Sequence, residues 1–144
     1  MDLFKAFDIS ASGMTVQGAR MNVISSNMAN VNSTRSADGG PYRKQSIVIA
    51  ADPADQAFEA MLRGECRPGA NNVRVLEIIE EPRFRMAYMP DHPDANADGY
   101  VAFPDIEVME EMVDMMTAVR SYEANVQAIG ALKGMFKKAL EIGK

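Results

Sequence analysis

The sequence predicts a mainly α-helical chain with a small β insert (α+β). A long helix at each end should pair with the other as a coiled-coil-like bundle, and a short-stranded, irregular β element should lie between them. Met112, Met115, Val119, Tyr122, Val126, Ile129, Lys133, Phe136 and Leu140 follow strict 3-4-3-4 spacing, and all but Lys133 are apolar or aromatic. Such a stripe is the a/d seam of a helix that pairs along its length. All seven prolines fall between Pro41 and Pro104, which confines long helices to the two ends.

The first element spans residues 1 to about 33, within an N-terminal division of 1–34. Ile9, Val16, Ala19 and Val23 mark one apolar stripe, and Met14, Met21, Ile24 and Met28 mark another. Two stripes imply neighbours on two sides. The end of this helix is unusual: "NVISSNMANVNSTR", residues 22–35, holds four asparagines and three serines. Asparagine competes with helical backbone hydrogen bonds and favours helix ends. Asn27 and Asn30 are expected to hydrogen-bond to neighbouring backbone or side chains, and Asn32, Ser33 and Thr34 to end the helix. The same amides could simply cap a frayed end. A buried asparagine in a helical seam sets register and partner choice at some cost in stability.

Residues 35–104 form the β-rich insert. The runs "QSIVIA" (45–50), "VRVLEII" (73–79), "RFRMAY" (83–88) and "YVAF" (100–103) read as strands, two of them with alternating polarity. "DQAFEAMLR", 55–63, reads as a short helical turn or a loop. The long C-terminal helix then occupies 105–142, within a division of 105–144. Its start is acidic and its end basic, which complements the helix dipole. Glu110 and Glu111 are expected on its solvated face.

Few function classes survive this reading. The net charge is −5 and the basic residues form no dense cluster, which argues against nucleic acid. No stretch is long and apolar enough to span a membrane, and residues 1–10 lack the pattern of a secretory signal. Export, if it occurs, is expected without a cleaved signal peptide. One lookalike for chemistry is "DANADGYVAFPD", 94–105, where Asp94, Asn96, Asp98 and Asp105 sit at calcium-loop positions around Gly99. Pro90 and Pro93 exclude an entering helix, and Asp105 is short for the last ligand position, so a tight turn is the expected role. His92 and Cys66 are each the only residue of their type, so an internal zinc site or disulfide has no ligand set. No catalytic residues, cofactor or metal are expected.

"SSNMANVNST" (25–34) is similar to the asparagine-rich N-terminal motif of bacterial flagellar rod and hook axial proteins. "DGGPYRKQSIVI" (38–49), "MPDHPDANADGYVAFPDIEVMEEMVDMM" (89–116) and "RSYEANVQAI" (120–129) resemble the proximal-rod members of that family. The resemblance implies a structural subunit of the basal-body rod, the drive shaft crossing the periplasm. It implies export through the flagellar type III apparatus and helical assembly with other rod proteins and with copies of itself. Under this reading the subunit interface comprises Val16, Val23, Asn27, Asn30, Met112, Met115, Val119, Tyr122, Val126, Ile129, Phe136 and Leu140. The rival reading of the same seam is a free-standing coiled-coil interaction module, calcium-modulated through 94–105.

Overall fold

A computed structural model describes residues 3–36, 39–51 and 71–142. The elements run α1 (Leu3–Ala29), β1 (Lys44–Ala51), β2 (Val73–Glu81), β3 (Phe84–Tyr88), β4 (Tyr100–Pro104) and α2 (Val108–Ile142). The architecture is therefore two terminal helices with a small antiparallel strand insert. The expected segment 55–63 lies outside the described residues.

The helices pair antiparallel. Gly13 on α1 meets the Asn125 side chain on α2, and Asn27 meets Glu111. The interval is the same on both helices, 13 to 27 and 111 to 125, so the pair keeps one register throughout. Gly13 allows the approach, because a Cβ there would stand 2.9 Å from the Asn125 amide nitrogen. Val16, Val23 and Ile24 of α1 and Ala118 of α2 are buried.

α1 ends at Ala29, about a turn earlier than expected, because Asn30 turns its own side chain back on the helix. Its Nδ2 donates to the Ser26 carbonyl at 2.9 Å, and its Oδ1 accepts from the Ser33 hydroxyl at 3.0 Å. The Asn30 N–H is shared between the Ser26 carbonyl at 3.1 Å and the Asn27 carbonyl at 3.2 Å, a tightened last turn, and the Ser33 amide then closes a following turn on the Asn30 carbonyl at 3.0 Å. α2 starts at Val108 rather than 105, since the Asp105 amide still bonds the Arg83 carbonyl of the preceding hairpin at 3.3 Å.

The four expected strands are present as two separate two-stranded antiparallel sheets, β1–β2 and β3–β4. In the first, Val48 faces Glu77 and Ile49 faces Val75, so Leu76 is the extra residue of a β-bulge. Both strands of this sheet pack on α1, and the Ser12 hydroxyl accepts a 3.2 Å bond from the Val73 amide. In the second sheet, β4 carries the buried Val101, Phe103 and Pro104, followed by buried Ile106.

Candidate functional site

The most heavily bonded side chain described is Asn27, only 1% exposed at the end of α1. Its Nδ2 donates to the Gln45 carbonyl at 2.9 Å and to Glu111 Oε2 at 3.2 Å. Its Oδ1 accepts from the Gln45 amide at 2.9 Å and from the Tyr42 hydroxyl at 3.2 Å. A carboxamide has two donors and an acceptor with two lone pairs, and all four capacities are used. The two bonds to Gln45 copy those a neighbouring strand would make. In an antiparallel pair one residue's N–H and C=O point the same way, so Gln45 turns both away from β2. Asn27 thus closes the outer edge of β1 at this point, which otherwise would carry unpaired backbone groups. No charged side chain supplies both a donor and an acceptor for this task, which explains an amide here.

The network continues on both sides. Tyr42 Oη also lies 3.1 Å from Ser26 Oγ. Glu111, 3% exposed, takes Lys44 Nζ on its other oxygen at 2.9 Å. One cluster thereby joins the end of α1, the start of β1 and the start of α2. Beside it a cleft of about 230 Å³ opens between Arg20, Ile24, Lys44, Ile47, Glu111 and Asp114. Glu110 is exposed as expected, but Glu111 is not on a solvated face: it points between the helices, where Asn27 and Lys44 satisfy it. Sequence reasoning passed over Glu111 because it counted apolar residues. The signal was the heptad step Glu111, Ala118, Asn125, matched on α1 by Gly13, Arg20 and Asn27.

Burial pushes the Lys44 ammonium down, but the Glu111 carboxylate it bonds, with further charge from Glu110 and Glu81, outweighs that and holds it above its ordinary 10.5. A raised folded-state value contributes stability below the unfolded value and loses it as pH rises through the folded one. Denaturant unfolding between pH 9 and 12 should therefore show wild-type stability falling beyond about 10.5 more steeply than that of Lys44→Met. Parallel profiles for the two proteins would show that Lys44 gives nothing to the fold.

The long 3-4 seam is not the stripe that α1 covers. α1 lies over Glu111, Ala118 and Asn125, one residue earlier in the heptad, and the seam is rotated towards solvent. Met112 is 45% exposed and Val126 46%, while Val119, Tyr122, Phe136 and Leu140 are also exposed and Met115 and Ile129 half-buried. Met109, Val113 and Met116 widen this open apolar face at the start of α2. Contiguous apolar surface of this kind marks an interaction site. Val16, Val23 and Asn27 lie in the interior of the chain, and half-buried Asn30 caps α1.

The 94–105 segment is a turn held by its own side chains. Asn96 Oδ1 accepts from the Asp98 amide at 3.0 Å and the Tyr100 amide at 2.9 Å. Asp94 accepts from Thr34 Oγ1 at 2.9 Å and lies 3.9 Å from Arg35, which ties the loop after α1 to the β3–β4 connection. Asp105 sits beyond β4, its amide on Arg83. No group of three or more potential metal-ligating side chains is gathered among the described residues. Gly99 has φ 79°, and a Cβ there would stand 2.9 Å from the Tyr88 ring. Gly99→Ala should cost about 2 kcal/mol, combining left-handed strain with the clash. Thermal unfolding should register a fall of about 5 °C, and a shift below one degree would contradict this account.

Two family models match the chain: the flagella basal body rod protein model over residues 7–35, and the flagellar basal body rod FlgEFG protein C-terminal model over 97–142. The chain is 46% identical to the flagellar basal-body rod protein FlgC of Aquifex aeolicus over 144 residues, covering 100% of this chain and 99% of that one. It is 41% identical to FlgC of Bacillus subtilis (strain 168) over 152 residues, covering 100% of both. With FlgC of Salmonella typhimurium it shares 37% over 145 residues, again covering 100% of both. The two model matches fall on α1 with its capping turn, and on β4 with α2.

Proposed function

The chain belongs to the FlgC family of flagellar basal-body rod proteins, and on that premise we propose how its open surface serves the rod. It is a structural subunit of the bacterial flagellar basal body, and it assembles with other rod components. In our reading its place is the proximal rod, within the periplasm. It polymerises there with other rod proteins and with copies of itself through its terminal helices, and reaches that place through the flagellar type III apparatus. No catalytic step, cofactor or metal enters this reading.

One observation supports it most: the seam Met112, Val119, Tyr122, Val126 is built like a helix-pairing stripe, yet α1 leaves it exposed. A heptad stripe that the chain does not cover itself suits a helix from a neighbouring subunit. Behind it Val16, Val23 and Asn27 hold α1, and with it the strands, in fixed register to α2. Every subunit then presents the same surface. The free-standing interaction module draws no support from the comparisons, since its relatives are rod proteins over their full length.

Mass spectrometry of basal bodies purified from the source organism tests this reading. The chain should appear in amounts comparable to those of other rod subunits. Intact rods that lack it, in cells that make it, would overturn the assignment to the rod.

A further inference from the structure

Asn27 closes the outer edge of β1 only at Gln45. Backbone groups along a strand alternate in direction, and the bulge falls on β2, so β1 keeps its alternation past that point. Ile47 and Ile49 therefore turn their N–H and C=O to the same outer side as Gln45 does. Among the described residues no hydrogen bond reaches either backbone from outside the sheet. An edge left in this state is a template for another strand.

The path of α1 keeps it open. Asn27 meets Gln45, while Ser12 meets the Val73 amide on β2, so α1 runs opposite to β1 and slants off its edge. Val23 is one turn before Asn27, about 6 Å back along the helix. Ile47 is about 7 Å further along the strand than Gln45. Val23 thus stands level with Ile47, and its side chain has no polar atom with which to repeat what Asn27 does.

The cleft of about 230 Å³ opens at this place, with Val23, Ile24, Ile47 and Ile49 as its apolar lining. Its charges are already matched: Lys44 holds Glu111 at 2.9 Å, and Arg20 lies 3.9 Å from Asp114. A charged side chain entering there would be desolvated without a partner. The occupant that suits the cleft offers backbone N–H and C=O groups and apolar side chains, and carries no charge.

We propose that the open edge of β1 at Ile47 and Ile49 receives an extended, uncharged segment of another rod protein, which adds to the sheet as a third strand. This rests on the rod-subunit reading and deepens it. Strand addition takes its affinity from main-chain hydrogen bonds and its selectivity from the side chains that alternate into the cleft. β4 is the only described strand of this chain without a charge, and it is already paired with β3 and largely buried. The segment therefore comes from another rod protein and not from a copy.

Photo-cross-linking in purified basal bodies tests it. With p-benzoylphenylalanine in place of Ile49, irradiation should join this chain to another rod protein, and mass spectrometry should map the adduct to an uncharged stretch of that protein. Ile47→Pro removes the outward N–H and no bond of the β1–β2 ladder. It should lower the adduct about tenfold, the worth of one such hydrogen bond. Ile47→Ala trims the side chain further but keeps the N–H, and should leave the adduct within about twofold of the parent. If Ile47→Pro does not fold, Ile49→Pro with the photoreactive residue at Ser46 removes the next outward N–H and is read in the same way. An adduct on a charged stretch, adducts only between copies of this chain, equal adducts for Ile47→Pro and Ile47→Ala, or none in rods that contain the chain would each overturn strand addition while leaving the rod assignment intact. Rods from wild-type cells that lack the chain altogether would overturn both.

Discussion

Leucine in place of Asn27 should destabilise the isolated chain by about 4 kcal/mol, because it removes four hydrogen bonds and leaves buried partners without replacements. Leucine shares the branching of asparagine, but its two methyls are bulkier and cannot hydrogen-bond, so overpacking adds to the loss. The Gln45 amide and carbonyl lose their only described partner on the outer edge of β1, and Glu111 is left in the interior with Lys44 alone. Each stranded group costs about 1–3 kcal/mol. For a chain of this size the midpoint of thermal unfolding should fall by about 10–15 °C. The effect should also be shared: Asn27→Leu combined with Glu111→Gln should cost clearly less than the two singly, since both break the same cluster. A loss below about 1 kcal/mol for Asn27→Leu would mean that the amide is a bystander and that register comes from Gly13 and Ala118 alone.

The second large effect concerns the rod and not the fold. Met112→Glu with Val126→Glu places two carboxylates on the open seam, at sites close to half exposed in the isolated chain. Substitutions at such positions change stability by roughly 0.5 kcal/mol or less each, so the unfolding midpoint should stay within about 3 °C of wild type. Against a neighbouring helix the same two charges are desolvated without partners, at a cost of several kcal/mol. Swimming halos in soft agar should then be lost, and rods should lack the variant although cells make it. Normal halos, with the variant present in rods, would show that this seam faces solvent in the assembled shaft and that neighbours bind elsewhere.

Set side by side, the two substitutions separate what the sequence shows from what it hides. Apolar periodicity located α2 and its seam, and short β-like runs between the prolines, two of them alternating in polarity, located all four strands to within about a residue or two at most ends. Both signals count hydrophobic side chains, and each element declares itself locally. The face by which α2 meets α1 is different. It is lined by Glu111, Ala118 and Asn125, opposite Gly13 and Asn27, a set too small and too polar for any apolar count to register. Proximity between residues 27, 45 and 111 is a property of the folded chain, and nothing near Glu111 in the sequence announces Lys44 or Asn27. The end of α1 failed for a related reason: apolar spacing continues past Ala29, and the helix stops there in a turn held by Asn30, Ser26 and Ser33. The amide-rich passage at 22–35 was visible as an anomaly, and its resolution needed the strand edge it serves.

The clamp also governs time. Asn27 and Glu111 are 84 residues apart in the chain, and closing a loop of that length costs on the order of 4 kcal/mol of chain entropy before any contact offsets it. Neither helix can form its main contact early, because each finds its cover at the far end of the molecule. A mostly helical protein thus acquires the non-local, slow folding more usual for β-sandwiches. During synthesis at roughly 5–20 residues per second, α1 is complete on the order of ten seconds before Glu111 exists. Throughout that interval the amides and valines that later lock the subunit are uncovered, and any chaperone competing for α1 meets it before α2 does.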